Sequence, residues 1–225
     1  KTDEKVKINS IVPSKSEPQQ AGTSITLTTN ATGNSALSYK YWAYDTDGNW
    51  TLLSNYSSSK SVTWTPKTGG NYVIWVDVKD QDGNINHKYI NYKITDKVTR
   101  VEENNSKITY TGNWSTYSDK EYSGSTAKFA KSDAKATFKF TGTGIKIISA
   151  TSNNRGVAMV TVDGKVYSAD MFSSNFVFKG TALEIKGLAS GTHTITISYS
   201  GIKSGMSNGT MIVLDAFDII GGNII

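Results

Sequence analysis

Hydrophobic and polar residues alternate with a period of two along much of the chain, and no stretch has the composition or period of an amphipathic helix. In the first half, short alternating runs follow one another at intervals of about 10 residues. These runs are Ser24–Thr29, Leu37–Tyr44, Trp50–Leu53, Ser61–Thr65, Asn71–Lys79 and Ile85–Ile94. Their length and spacing are typical of a β-sandwich of about seven strands.

The second half shows clearer alternation. Ala and Phe alternate with Lys and Thr over residues 134–140, while Ile and Tyr alternate with Thr and Ser over residues 194–199. A long apolar strand is predicted over Thr210–Ile220. About eight strands without a helix favour a two-sheet jelly roll, because this architecture leaves few sheet edges exposed.

The predicted boundary between two domains lies at residue 98. Four of the five tryptophans precede it, and the polar stretch Thr95–Ser106 has the composition of a linker. A length of 225 residues is enough for two domains of ordinary size. We therefore expect one domain over residues 1–98 and another over residues 99–225.

Residues Tyr39 to Gly83 resemble the triple-tyrosine family of bacterial immunoglobulin-like or fibronectin-III-like modules. The motifs are Tyr39-Lys40-Tyr41-Trp42, Asp47-Gly48-Asn49-Trp50, Trp64-Thr65-Pro66, Gly70-Asn71-Tyr72 and Lys79-Asp80-Gln81-Asp82-Gly83. Tyr72 resembles the tyrosine corner of such domains, in which the ring packs inward and the hydroxyl binds upstream backbone. The resemblance implies an accessory module without catalysis, of a kind found in surface proteins and cell-wall hydrolases of Gram-positive bacteria.

The second half resembles the galactose-binding-like jelly rolls appended to bacterial glycosidases and surface proteins. The matching segments are Ile108–Trp114, Phe138–Ile145, Arg155–Gly164, Gly187–Ile195 and Val213–Asp218. This likeness implies a carbohydrate-binding or carbohydrate-binding-like module. The expected fold class is therefore all-β, with an immunoglobulin-like β-sandwich followed by a β jelly roll.

Composition excludes several function classes. The chain has no cysteine and two histidines, which excludes disulfides and thiol catalysis and leaves little for a histidine metal site. The net charge of +5 is dispersed over both halves, so we expect no nucleic-acid partner. No apolar stretch approaches the roughly 18 residues of a membrane span, so we expect no membrane insertion.

The residues that could serve catalysis or metal binding each have a simpler, structural explanation. His193 shares the strand parity of Ile195 and is expected to point inward as a structural residue, whereas His87 is expected to be exposed. The acidic residues of the second half lie in no recognisable acid/base context, so we predict no enzyme. Turn chemistry explains the Asp-x-Asp-Gly-Asn motifs at 45–49 and 80–84, which would emerge at opposite ends of a sandwich. A structural calcium in the second module, common in related jelly rolls, stays open without ligands assigned by the sequence, and no other cofactor is expected.

Sugar recognition needs an aromatic ring for the apolar face of a pyranose and fixed polar groups for its hydroxyls. The predicted ligand-binding residues of the second module are Trp114, Asn154, Arg155, Tyr167, Asp170 and Phe172. Each has a structural alternative: Trp114 could pack beneath the first strand of the module, and Arg155 could pair with Asp163 or Asp215.

A second aromatic platform is predicted in the first module. If Tyr72 faces inward, Trp75 faces outward, and Trp42 does likewise on a neighbouring strand. Domain docking or cross-strand packing is the favoured role for this pair, with glycan binding as the alternative.

The sequence therefore predicts a non-catalytic, carbohydrate-binding fragment of a larger secreted or surface-attached bacterial protein. Its partner would be a polysaccharide or glycoconjugate of the cell wall or a cell surface, and the first module would act as a spacer. The alternative is a structural or adhesive stalk, which a Lys–Asn cross-link could reinforce.

Overall fold

The structure is a computed structural model that describes residues 5–225. The chain forms two compact units, one ending at Lys97 and the other running over Val98–Ile225. Strands make up 67% of the chain, and the sole helical element in the described part is a 3₁₀ turn at Ser123–Ser125. The prediction of an all-β fold is confirmed. Residues 5–225 contain no helix long and apolar enough to cross a membrane.

The first unit is an immunoglobulin-like sandwich of two sheets. Its strands are β1 (Val6–Pro13), β2 (Gln19–Gln20), β3 (Ile25–Gly33), β4 (Ser38–Tyr44), β5 (Trp50–Ser57), β6 (Ser61–Trp64), β7 (Gly70–Lys79) and β8 (Ile85–Thr95). One sheet has the order β1-β3-β6 and the other has the order β2-β8-β7-β4-β5. Strands β1 and β2 lie outside the alternating runs recognised in the sequence.

Strand parity in β7 determines what is buried in the first unit. Tyr72, Ile74, Val76 and Val78 are all buried, as their alternation predicts. The Tyr72 hydroxyl donates to the Thr68 carbonyl at 2.9 Å, which confirms the tyrosine corner. The side chains between these core residues therefore project from the opposite face of the sheet.

The second unit is a jelly roll built on two long strands. Its strands are β9 (Val98–Glu102), β10 (Thr109–Gly112), β11 (Ser115–Ser118), β12 (Thr126–Ala130), β13 (Ala134–Thr151), β14 (Val157–Val162), β15 (Lys165–Asp170), β16 (Val177–Ile202), β17 (Ile212–Leu214), β18 (Ala216–Ile220) and β19 (Asn223–Ile224). The larger sheet has the order β15-β14-β16-β13-β18-β9, and β11-β12-β17 form a smaller one.

The neighbours of β13 change along its length. Residues 134–137 pair with β10 and residues 144–148 pair with β18, while β16 pairs with β13 along most of its length. The register of β13 with β16 shifts between Gly142 and Gly144, where an irregularity interrupts the ladder. One continuous core, which includes Phe140, Ile197 and Phe217, lies against these strands.

The structure corrects three local predictions in the second unit. Val98–Glu102, assigned to a linker, forms β9 and pairs with β18. Ser115–Ser118, where the sequence predicted no strand, forms β11. The predicted closing strand Thr210–Ile220 is interrupted at Asp215, and the described part of the unit contains eleven strands instead of about eight.

Candidate functional site

The most distinctive surface in the first unit is the outward face of β8, β7, β4 and β5. The register pairs Trp42 of β4 with Trp75 of β7, so the two indoles lie side by side as predicted. Tyr89 of β8 is the next residue in the same row, on the other side of Trp75. Non-core side chains of neighbouring strands thus form one continuous surface.

A third tryptophan completes this surface. Trp50 of β5 stands edge-on to both other indoles, with ring centroids 6.3 Å from Trp42 and 6.3 Å from Trp75 and interplanar angles of 85° and 88°. The three rings line a recess of about 480 Å³. Trp50 keeps 53% of its surface exposed. We call Trp42, Trp50 and Trp75 the aromatic face.

Further rings extend and support the aromatic face. Tyr44 packs against Trp50 at 4.8 Å between centroids. His87 and Tyr89 of β8 both stack with Trp75, at 4.5 Å and 5.9 Å between centroids and with interplanar angles of 17° and 3°. Tyr89 is 56% exposed, so the row of aromatic rings ends at β8 with a ring that is accessible to solvent. These contacts restrict the orientation of Trp75.

Polar groups border the rings. The Trp75 Nε1–H donates to Asp77 Oδ1 at 2.8 Å, which fixes the indole further. The Lys40 ammonium lies 4.6 Å from the centroid of the Trp42 ring. The surface therefore combines exposed ring faces with an ammonium and a carboxylate, which suits an amphipathic ligand such as a sugar.

The contribution of Trp50 to this surface was not predicted from the sequence. Trp50 was assigned to a strand without a face. The β4–β5 pairing places it opposite Tyr44, at the regular end of a ladder whose register shifts only between Tyr39 and Trp42. The available signal was the Asp47-Gly48 hairpin, which turns the chain so that Trp50 lies opposite Tyr44.

In the second unit, the structure brings part of the predicted sugar site together. A bridge joins Ser152 to Phe172, and the register pairs Val157 with Asp170, so the loop at 152–156 runs beside residues 170–172. Asn154 and Asp170 are exposed, and Phe172 is half-buried. Asp170 Oδ1 accepts the backbone N–H of Phe172 at 2.9 Å. The ligand role of these residues stays a prediction.

Arg155 differs from these neighbours because it is only 3% exposed. Its Nε donates to the Ala150 carbonyl at 3.0 Å, and Nη1 donates to the Asn154 side chain. Burial lowers the pKa of the Arg155 guanidinium. The suggested pairing with Asp163 or Asp215 is wrong, because these carboxylates bind other groups.

Trp114 and Tyr167 do not belong to one site. Tyr167 lies in β15 and Trp114 follows β10, and these strands flank the β14-β16-β13 set on opposite sides. Four strand spacings separate them by roughly 19 Å. Trp114 is half-buried against the core, and its Nε1–H donates to the Lys135 carbonyl at 3.2 Å.

The two histidines occupy the surroundings predicted for them. His87 is exposed. His193 is 6% exposed, and its ring nitrogens contact Asp163 Oδ2 at 2.5 Å and the Ala189 carbonyl at 2.8 Å. Burial opposes protonation of His193, but the hydrogen bonds with Asp163 and Ala189 outweigh it and raise the pKa. His193 thus fixes the hairpin at Asp163 to the start of the neighbouring strand segment.

Three carboxylates of the second unit carry buried oxygen atoms without a hydrogen-bond partner, namely Glu102 Oε2, Glu103 Oε2 and Asp215 Oδ2. Burial raises the pKa of Asp215 to about 6, with Glu102 and Glu103 adding to the effect. Burial likewise raises the pKa of Glu103. Within residues 5–225, no three His, Asp or Glu side chains are grouped closely enough to hold a metal ion.

The Asp-Gly turns of the first unit use their carboxylates internally. Asp45 Oδ1 accepts the backbone N–H groups of Asp47 and Asn49, and Asp80 Oδ1 accepts that of Asn84. The β4–β7 register places these turns at opposite ends of the sheet. Turn chemistry therefore accounts for both motifs.

Comparison with known proteins gives one family match. Residues 30–95 match the Y_Y_Y domain family, which confirms the resemblance to triple-tyrosine modules. The matched range contains the whole aromatic face. An A type blood alpha-D-galactosamine galactosaminidase from Flavonifractor plautii is 30% identical over 99 residues. This alignment covers 44% of the chain and 9% of the galactosaminidase, so the chain spans a small part of the enzyme's length.

Similar solved structures include carbohydrate-binding modules of the β-sandwich superfamily, with 13% identity, coverage of 96% of this chain and 97% of that chain, and a TM-score of 0.33. A fragment of Clostridium perfringens ZmpB, containing CBM51-2 with GlcNAc, has 14% identity over 72% of this chain and 39% of that chain, with a TM-score of 0.26. Bacteroides ovatus SGBP-B, solved with a mixed-linkage heptasaccharide, has 12% identity over 87% and 64% of the two chains, with a TM-score of 0.29. At these TM-scores, the overlaps carry no argument about function.

Proposed function

We propose that this chain is a non-catalytic, glycan-binding fragment of a larger secreted or surface-attached protein, and that the aromatic face of the first unit binds the sugar. The proposal depends on three tryptophans that project from one sheet face and line a common recess. It changes the role expected for the first unit from spacer to ligand-binding module.

The proposed mechanism is adsorption. A pyranose places its apolar C–H face on the indoles and removes both surfaces from water. The contacts of Trp75 with Asp77, His87 and Tyr89 hold the ring in place before binding, which reduces the entropy lost on association. A shallow site of this kind reaches millimolar to micromolar affinity, about −4 to −8 kcal/mol.

The activity of one relative supports this proposal. The galactosaminidase from Flavonifractor plautii acts on a sugar substrate, and the alignment covers a small fraction of its length. An attached non-catalytic unit that retains an enzyme near its glycan is consistent with such a partial match. Weak binding is then sufficient, because tethering raises the effective concentration of the catalytic domain.

The test is retention of the 225-residue chain on insoluble peptidoglycan, mucin and plant polysaccharides, together with a glycan array. We expect Trp75→Ala to lower affinity at least about tenfold, because a buried ring face contributes roughly 1.5 kcal/mol. Val166→Ala is the control, since Val166 is an apolar side chain of the second unit that is 56% exposed and was not predicted to bind ligand. Equal binding by the Trp75→Ala variant and the unmodified chain would contradict the assignment to this face.

The predicted residues that the structure brings together in the second unit, Asn154, Asp170 and Phe172, provide a competing location for the same function. Asn154→Ala and Phe172→Ala, measured on the same array, test this location without altering the aromatic face. If these variants lose the glycan-array signal and Trp75→Ala retains it, the sugar site lies in the second unit. Retention on none of the surfaces would instead favour the stalk alternative.

A further inference from the structure

A second, polar recess lies on the same sheet as the aromatic face. This recess has a volume of about 650 Å³, and its lining includes Asn71, Val73, Asn91, Lys93 and Glu17. The first four belong to β7 and β8 and alternate with core residues of these strands, so they project from the same face as the tryptophans. Glu17 approaches from the edge and accepts the Lys93 backbone N–H at 2.5 Å.

The register gives the spacing between the two parts. Along β7, Trp75 is followed on the same face by Val73 and then by Asn71, which places Asn71 roughly 14 Å from Trp75. One pyranose ring does not span this distance. Val73 is half-buried and apolar, so it provides a floor between the indoles and the amides without blocking the path.

The chemistry of the polar recess complements that of the aromatic face. Asn71 and Asn91 are exposed amides, which both donate and accept hydrogen bonds. Glu17 uses Oε2 for the Lys93 N–H, and its other oxygen is available as an acceptor. Aromatic rings that can cover the C–H face of a sugar therefore lie on the same sheet face as amides that can bind its hydroxyl groups. Glu17 and Lys93 add one negative and one positive charge.

We propose that the two recesses form one extended site for a linear oligosaccharide, which runs along β7 and β8. One sugar stacks on the aromatic face, and sugars further along the chain bind Asn71, Asn91 and Glu17. This inference rests on the proposed function of the aromatic face and names its ligand class as a glycan chain instead of a single terminal sugar.

The test uses isothermal titration of the 225-residue chain with cello-, chito- and galacto-oligosaccharides of one to six units. We expect affinity to rise at least about tenfold from one to four units in the series that binds. The double variant N71A/N91A should lower the affinity for the tetrasaccharide about fivefold or more and leave that for the monosaccharide unchanged, whereas W75A should weaken both.

The outcomes separate the two proposals. Binding that is equal at all lengths, or that N71A/N91A leaves unchanged for the tetrasaccharide, overturns the extended site and leaves the proposed function intact. Absence of binding to all three series and to the array overturns both. An N71A/N91A variant that loses monosaccharide binding as well indicates an altered aromatic face, which also contradicts separate subsites.

Discussion

The aromatic face of the first unit and the 152–156 loop of the second unit both carry side chains suited to sugars, but the fold uses them differently. Trp50 is 53% exposed and makes its contacts with other surface rings. Arg155 is 3% exposed and donates to the Ala150 carbonyl. The indole of Trp50 is therefore accessible to a ligand, whereas the guanidinium of Arg155 stabilises the fold.

The backbone of the second unit explains this difference. The β13–β16 register shifts between Ser149 and Thr151, which leaves Ala150 outside the paired positions. A buried carbonyl at such an irregularity needs a donor, and Arg155 Nε supplies it. In the first unit, the β4–β7 ladder is regular at Trp42 and Trp75, so the indoles are not needed to satisfy backbone groups between these strands.

The largest effect should follow from Arg155→Ala. Removing the buried side chain leaves the Ala150 carbonyl without its donor and opens a cavity, so we expect the free energy of unfolding of the second unit to fall by about 3 kcal/mol or more. Urea denaturation measures this change, with Asn175→Ala, an exposed residue of the same unit, as the control. Unchanged stability combined with lost glycan binding would reverse the comparison and make Arg155 a ligand residue.

A smaller effect is expected from Asp215, whose pKa of about 6 in the folded protein lies above the ordinary value of 3.8. Between pH 3.8 and about 6, the Asp215 carboxyl is protonated in the folded protein and ionised in the unfolded chain. The free energy of unfolding therefore falls as the pH rises through this range. The fall should approach roughly 3 kcal/mol at most. Unfolding measured from pH 4 to 7 should show this slope, and Asp215→Asn should remove it. An identical slope in the variant would contradict the assignment.

His193 should contribute a still smaller dependence. Both of its ring nitrogens face acceptors, Asp163 and the Ala189 carbonyl, which favours the doubly protonated ring. Its raised pKa means that this stabilisation is complete below the ordinary value of 6.5 and is lost as pH rises through the folded pKa. We expect His193→Gln to cost roughly 1 to 2 kcal/mol at pH 6 and less at pH 9. An equal cost at both pH values would indicate a neutral histidine.

The smallest change in stability is expected for Trp50→Ala. Because the indole is half exposed, the free energy of unfolding of the first unit should change by no more than about 0.5 kcal/mol. Glycan binding should nevertheless weaken, since the recess loses one wall. Thermal denaturation and titration of the same sample separate these effects. A large loss of stability would place Trp50 with Arg155 as a structural residue.

Local patterns predicted the parts of this molecule that depend on strand parity. The inward positions of Tyr72 and His193 and the outward pairing of Trp42 with Trp75 all follow from alternation within single strands. Parity is local, because successive side chains point to opposite faces whatever the partner strand is.

Features that depend on distant pairing were not accessible in this way. Val98–Glu102 is polar and linker-like, and it becomes a strand because it pairs with Ala216–Ile220, more than 110 residues later. Burial of Arg155 follows from an irregular register between β13 and β16, for which the sequence carries no local signal. The candidate site in the first unit was predicted in part: Trp42 and Trp75 follow from parity, whereas the place of Trp50 depends on its pairing with Tyr44 across the hairpin.

The pairing of β9 with β18 also determines how the second unit would respond to mechanical load. Val98 lies opposite Ile220, so β9, the first strand of the unit, is held beside β18, whereas the later strand β19 is held separately by β13. Tension applied to the chain ahead of Val98 would act at one end of the antiparallel β9–β18 ladder and would peel β9 away one hydrogen bond at a time. Strand β9 would therefore detach at low force.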